Sequence, residues 1–392
     1  MHALASALMR GWGKRERARG RGVLTPRRLI ATLLVIAAVT AVALVGRDRA
    51  GGGMLDSGAA SAATPATPLP PTQLLALPSH EIANGTKPLV VTLSAPPAPG
   101  SPTPALNPAV AGTWTTVGNS EIFTPVSTLE PCSTYTLTVW AQTHATAASA
   151  LGKRRTLGLN VACPPLAGVQ QALARLGYLG ADFRPLYTIH TPSGAETRHE
   201  AAVHAYHPPR GRLAPEPANA PLVEMGRLDE TTRGALTVYQ TDHGLEASGE
   251  PNRDTWASLL ASEAADRRDA HPYTWVSVSE SLPETLEVHR GDRVALSTPA
   301  NTGVSGAETA EGIFPIYSRL VSTTMSGTDV DGTKYVVPDV PWVNYFNGGD
   351  AVHGYPRSSY GFPQSNGCVE LPIETAQRVF GMLALGDIVD VT

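Results

Sequence analysis

Apolar positions recur along this chain with three different periods, and each period predicts a different kind of element. The first is no period at all: an unbroken apolar run from Leu29 to Gly46 follows a basic segment, residues 1–28, in which Arg10, Lys14, Arg15, Arg27 and Arg28 face the single acid Glu16. Such a run is about 27 Å long as a helix, enough to cross a hydrocarbon core, and the basic flank should stay in the cytoplasm. The pattern predicts a single-pass transmembrane helix over 29–46 with everything after Arg47 outside. A cleaved signal peptide is the alternative, since Ala41-Val42-Ala43 has the form of a cleavage site; the long basic segment and the long apolar run favour the anchor. Residues 47–79 are rich in Gly, Ala, Ser, Thr and Pro and hold too little apolar surface to offset ordering entropy, so they predict a tether.

A period of two takes over in residues 80–164. In TYTLTVWAQ, Tyr135, Leu137 and Val139 alternate with Thr134, Thr136 and Thr138, the pattern of a half-buried strand. Residues 165–264 switch to a helical period. Val169, Leu173, Leu176 and Leu179 share one face; a second helix starts after Asp229 as N-cap and stops at Gly244; a third carries Trp256, Leu259 and Leu260 together. From 272 to 392 strands return (YTWVSV, TLEVH, RVALST, GIFPIY, WVNYF, DAVH, DIVDV), with one helix whose inner face holds Ile373, Ala376, Phe380 and Leu383. The expected fold class is multidomain, mainly β with a small α domain.

Length and composition agree with that division. A chain of 392 residues exceeds what one core usually serves. The net charge of −4 supplies no basic field for nucleic acid. With 16% charged residues, 37 Gly and 34 Pro, short strands and turns are favoured over long helices. The absence of any cysteine before Cys132 excludes a lipid attached to a cysteine beside the apolar run.

The strand-rich stretch 80–164, with PALNPAVAGTW followed by EIFTPVSTLEP, resembles a bacterial immunoglobulin-like domain, which implies a β-sandwich. Cys132 and Cys163 both fall inside it, and an exported compartment permits disulfides. They are expected to pair, for about 3–4 kcal/mol of stabilisation; two unpaired buried thiols are the alternative. The three helical pieces of 165–264 resemble a three-helix peptidoglycan-binding domain. Residues 183–222 interrupt the first two helices where that family has a short loop. This insert contains His190, His199, His204 and His207, but HEAAVH is one residue longer than a zinc-binding H-E-x-x-H, and histidines five apart lie on different helix faces. They read as solvated loop residues, as do His271 and His289 on the surface.

The most informative run is HGYPRSSYGFPQSNGCVELP. If the pairing above holds, Cys368 is the one odd thiol in an exported protein, which calls for a functional explanation. The thiolate is the nucleophilic form, and His353 can take its proton if the intervening loop folds back. Gly367 leaves room beside the thiol, so its amide and that of Cys368 are candidate oxyanion donors, with Ser365 and Asn366 orienting the loop. A buried structural cysteine and a core histidine are the bland readings. Asp350 and Asp387 stand beside glycines and read as turn residues.

This run resembles the L,D-transpeptidase (YkuD-type) motif, a His-Gly pair followed by S-x-G-C, and TPANTG and TAEGIFPI upstream fit the same family. The resemblance implies a β-rich catalytic domain over 272–392 in which His353 is the general base and Cys368 the acylated nucleophile. It also implies that Gly367 with Cys368 forms part of the oxyanion hole, and that Tyr345, Gly354, Ser365 and Asn366 belong to the pocket. It further implies attack on the third residue of a donor tetrapeptide stem, loss of the terminal D-Ala and a 3-3 peptidoglycan cross-link. Hydrolysis of the thioester (L,D-carboxypeptidase activity) and an inactive wall-binding scaffold are the alternatives. Two departures stand out: Asn366 where the family usually has His, bearing on oxyanion or substrate contacts, and Glu370 where it often has Arg or Asn, bearing on acceptor recognition. No metal or organic cofactor is implied. The expected partners are peptidoglycan stem peptides and, through one N-terminal helix, the cell membrane.

Overall fold

The computed structural model describes residues 67–186 and 198–392. The expected helix at 29–46, the basic segment before it and His190 lie outside those residues. Among the described residues no helix is long and apolar enough to cross a membrane.

The first β region is built from β1 (Leu74–Ala76), β2 (Glu81–Ile82), β3 (Leu89–Leu93), β4 (Ala105–Asn107), β5 (Gly112–Val117), β6 (Ser120–Pro125), β7 (Thr134–Val139) and β8 (Arg155–Val161). They form two four-stranded sheets, β1-β3-β6-β5 and β2-β8-β7-β4. Val91 and Phe123 of one sheet meet Tyr135, Leu137, Leu159 and Val161 of the other in one core, so the sheets make a sandwich. β7 buries Tyr135, Leu137 and Val139 and leaves Thr134 exposed, because successive side chains on a strand face opposite sides. Cys132 and Cys163 are joined in a disulfide, and Cys132 also packs against the core of the helical region that follows.

That region comprises α1 (Leu166–Leu176), β9 (Ala181–Pro185), α2 (Arg198–Tyr206), β10 (Gly211–Pro215), α3 (Glu230–Asp242) and α4 (Arg253–Ala264). Asp229 caps α3 by accepting from the Thr232 amide at 2.8 Å, and Gly244 takes a left-handed φ of 65° just past the helix end. Val169, Leu173, Leu236, Tyr239, Trp256 and Leu259 share one core. The insert corrects an expectation. It is no solvated loop: β9 and β10 pair antiparallel, and α2 sends Ala201, Ala202 and Ala205 into the same core. His199 and His204 therefore sit half-buried on a helix, and His207 stands at the sandwich seam, 3.1 Å from the Asn84 side-chain amide. Tyr206 crosses that seam and joins the sandwich core.

The C-terminal region contains β11 (Thr274–Ser279), β12 (Thr285–Arg290), β13 (Arg293–Pro299), β14 (Gly312–Pro315), β15 (Ser318–Thr328), β16 (Lys334–Asn347), β17 (Asp350–Gly354), β18 (Val369–Leu371), α5 (Ile373–Met382) and β19 (Ile388–Val391). One sheet runs β13-β12-β11-β19-β14 and the other β15-β16-β17-β18. Val276, Val288 and Val389 of the first and Phe346, Val352 and Val369 of the second close a common core with Ala376 and Val379 of α5. Ala376 and Leu383 are buried as the helical period predicts, joined by Val379, whereas Ile373 is 42% exposed and Phe380 lies under the Arg319 guanidinium at 4.2 Å. His289 is likewise no surface residue. It is buried, stacked on Trp275 with ring centroids 3.9 Å apart and bonded to Ser277 Oγ at 2.8 Å. The helical and C-terminal regions approach closely at Gly234 of α3, where a Cβ would lie 2.4 Å from the Gly386 carbonyl oxygen; only a residue without one fits there.

Candidate active site

Two adjacent strands present the candidate residues. β17 and β18 run parallel, with Val352 opposite Val369 and His353 opposite Glu370. Extending that register by one step sets Cys368 opposite Ala351. Side chains alternate faces along a strand, so His353, Glu370 and Cys368 project from the same face. Residues on a cross-strand diagonal remain within side-chain reach, which puts the thiol and the imidazole in one cavity of about 320 Å³. The loop between them folds back, so that both side chains line that cavity.

His353 is 2% exposed. Its Nδ1 lies 3.0 Å from the Gly354 carbonyl oxygen, an arrangement that puts the proton on Nδ1 and leaves Nε2 as the basic atom. Burial, the largest influence, holds its pKa below the ordinary histidine value, against the raising effects of the Gly354 bond and Glu370. The imidazole is thus neutral at neutral pH.

The thiol is also neutral at rest. Burial pushes Cys368 up to about 12, helped by Asp350 and Glu370 and opposed by the Ala351 amide, which donates to the sulfur. Sγ lies 3.8 Å from the Gly349 carbonyl oxygen, which can accept the thiol proton. The resting pair is therefore thiol and imidazole, not thiolate and imidazolium.

The loop before the cysteine is held on several sides. The Gln364 and Ser365 amides both donate to the Thr302 carbonyl, Ser365 Oγ donates to the Cys368 carbonyl at 2.5 Å, and Asn366 shares a side-chain bond with Tyr335. Gly367 adopts a φ of 106°, and a Cβ there would stand 2.5 Å from Asp350 Oδ1. Left-handed backbone and lack of space together demand glycine. Asp350 flanks the Gly348-Gly349 turn, as its neighbours in sequence suggest, but its carboxylate also walls the Gly367 site.

Other expected residues are placed differently. Gly354 is packed behind the cavity, where a Cβ would lie 3.2 Å from Ala376, Ile373 and Pro341, and its contribution is the carbonyl that holds His353. Tyr345 packs beside Cys368, with its ring 6.1 Å from that of Tyr317. Glu370, the departure from the family pattern, is 5% exposed and gripped by Arg357, whose Nε and Nη2 donate to its two oxygens at 2.7 and 2.8 Å. Arg357 and Tyr335 line the cavity and escaped sequence reasoning. The only available signal for Arg357 was one cation in the His-to-Cys run opposite one unexpected acid after the cysteine. Among the described residues no group of three or more His, Cys, Asp or Glu side chains could hold a metal ion.

No curated protein matches the chain. Among solved structures, the catalytic domain of an E. faecium L,D-transpeptidase is 25% identical, over 32% of this chain and 100% of that one, with a TM-score of 0.29. An L,D-transpeptidase from Mycobacterium smegmatis is 14% identical over 83% of this chain and 100% of that one, TM-score 0.28. L,D-transpeptidase 3 from Mycobacterium tuberculosis, in complex with a faropenem-derived adduct, is 15% identical over 82% and 97%, TM-score 0.28. The assignment rests on the family models and not on these likenesses: residues 217–259 match a peptidoglycan-binding domain, and residues 273–391 match the YkuD L,D-transpeptidase catalytic domain. The chain thus carries a catalytic domain of the L,D-transpeptidase family joined to a domain of the peptidoglycan-binding family.

Proposed function

We propose that this protein is a membrane-tethered L,D-transpeptidase that forms 3-3 peptidoglycan cross-links through a thioester on Cys368. The observation that carries this reading is the common face of β17 and β18, from which a neutral imidazole and a neutral thiol open into one cavity.

His353 Nε2 removes the Cys368 proton as Sγ attacks the carbonyl carbon of the third stem residue. The Gly367 and Cys368 amides receive the developing oxyanion. Collapse breaks the peptide bond, and the imidazolium returns its proton to the departing D-Ala amine. An amine of a neighbouring stem then attacks the thioester and gives up its proton to His353; the C–S bond breaks, the imidazolium returns that proton to the Cys368 sulfur, and the cross-linked product leaves. A neutral starting pair suits this sequence, because charge appears only when the oxyanion donors can meet it.

The scaffold alternative drew on Asn366 and Glu370 as signs of decay. Each has a partner, Tyr335 and Arg357 respectively, and such a built environment supports an active site. The basic segment and apolar run at residues 1–46 support a tether that holds the catalytic domain outside the cytoplasm.

The test is to incubate the purified ectodomain with tetrapeptide stems and weigh the products. Cross-linked dimers are expected, and Cys368→Ala should yield none. Tripeptides alone would mean a carboxypeptidase; no product and no mass gain with a carbapenem would sink the catalytic reading.

A further inference from the structure

We infer that Arg357 and Glu370 form a charge-balanced pair that sets the protonation of His353, with Arg357 as the positioning residue that holds Glu370 neutralised beside the base. The inference rests on the proposed roles of His353 and Cys368.

Glu370 occupies the position directly across the strand pair from His353 and is almost fully buried. A lone carboxylate there would favour the imidazolium, which cannot act as a base, and would oppose the thiolate that has to form on attack. Arg357 cancels it with two bonds in fork geometry, the arrangement in which arginine recognises carboxylates best. The guanidinium is itself fixed: Nη2 also donates to the Gln364 carbonyl at 2.8 Å, and its carbon lies 4.7 Å over the Tyr355 ring. Tyr355 in turn meets His353 edge-on at 6.2 Å. Base, ring, cation and anion thus close a circuit, and the same arginine ties it to the loop that leads into Cys368.

The other groups facing this cavity are few. Cys368 and Asp350 lie on the thiol side, and Asp329 and Tyr335 come from the β15–β16 hairpin. Tyr345 flanks the sulfur from β16. None of these is directly opposite His353 in the strand register, whereas Glu370 is. The opposing influences of Glu370, which raises the His353 pKa, and Arg357, which lowers it, follow the same geometry.

The sign of each change follows. With Arg357→Met the carboxylate is unopposed, the imidazolium is favoured, and the base is lost at higher pH. With Glu370→Gln the cation is unopposed and the base survives to lower pH. A single neighbouring charge moves a pKa by roughly one unit or more. The double variant removes both influences and should lie near the original protein.

The experiment is the pH dependence of Cys368 acylation by a carbapenem, followed by intact mass, for the full chain and its variants with native melting profiles. The original protein should show an acid limb that His353→Ala abolishes. Arg357→Met should move that limb up by about one unit and Glu370→Gln down by a similar amount, with the double variant between them. Glu370→Gln leaves a half-exposed cation and is the single variant best able to fold, so its downward shift is decisive. A His353-dependent limb that stays put in Glu370→Gln, or moves the same way in both single variants, overturns the charge balance and leaves the mechanism standing. Acylation with no His353-dependent limb overturns the mechanism and, with it, this inference.

Discussion

The sandwich and the catalytic region are built alike and behave differently. Each faces one sheet against another across an aliphatic core, yet the sandwich closes its cysteines in a disulfide and the catalytic region keeps its one cysteine free. The catalytic region also admits His353, Glu370, Asn344 and Asp387 to its interior. Burying a polar or charged group costs free energy unless partners compensate. Where a fold accepts that cost and supplies the partners, chemistry is the usual reason.

The comparison can be broken first at the sulfur. Cys368→Ala should reduce acyl transfer at least about 10⁴-fold and His353→Ala about 10²–10⁴-fold, measured as product per minute with melting temperature unchanged within a few degrees. Wild-type turnover should keep its acid limb below the ordinary histidine value near 6.5, because the depressed pKa of His353 keeps the base form as pH falls. A limb above that value would contradict the burial argument. In the sandwich the opposite split is expected. Cys132→Ser should cost about 2–5 kcal/mol in denaturant unfolding and leave the acylation rate per folded molecule as it was.

Smaller changes sharpen the contrast. Gly367→Ala forces a side chain into left-handed backbone and against Asp350; about 1–3 kcal/mol of destabilisation is expected, together with at least a tenfold fall in acylation rate. The smallest effect concerns Asp387, which burial raises from 3.8 to about 7 despite the Ala384 amide, Arg319 and Arg290. Between those two values the folded protein holds a proton that the unfolded chain releases, so stability declines as pH rises through that window. Asp387→Asn should therefore raise the melting temperature by a few degrees at pH 8 and leave it unchanged at pH 4.

Much of this was legible because local rules decided it. Alternation placed Tyr135, Leu137 and Val139 inside, and the Asp229 cap needed only its own neighbours. What sequence reasoning misplaced depended on contacts distant along the chain. His289 lacks any local sign of burial, and its stacking on Trp275 arises when β11 and β12 pair. The insert looked like loop because its short helix has an apolar face only three alanines wide, too weak a period to stand out. In the candidate site, the thiol and the imidazole were readable as a motif. Their partners Arg357 and Tyr335 became visible only when β16, β17 and β18 came together.

The aromatic ring of Tyr206 ends a helix of one region inside the hydrophobic filling of another, and the next residue, His207, bonds Asn84 across the same boundary. A joint bolted in this way transmits force instead of absorbing it. Tension applied to the sandwich should therefore reach the helical region as a push or a pull with little slack.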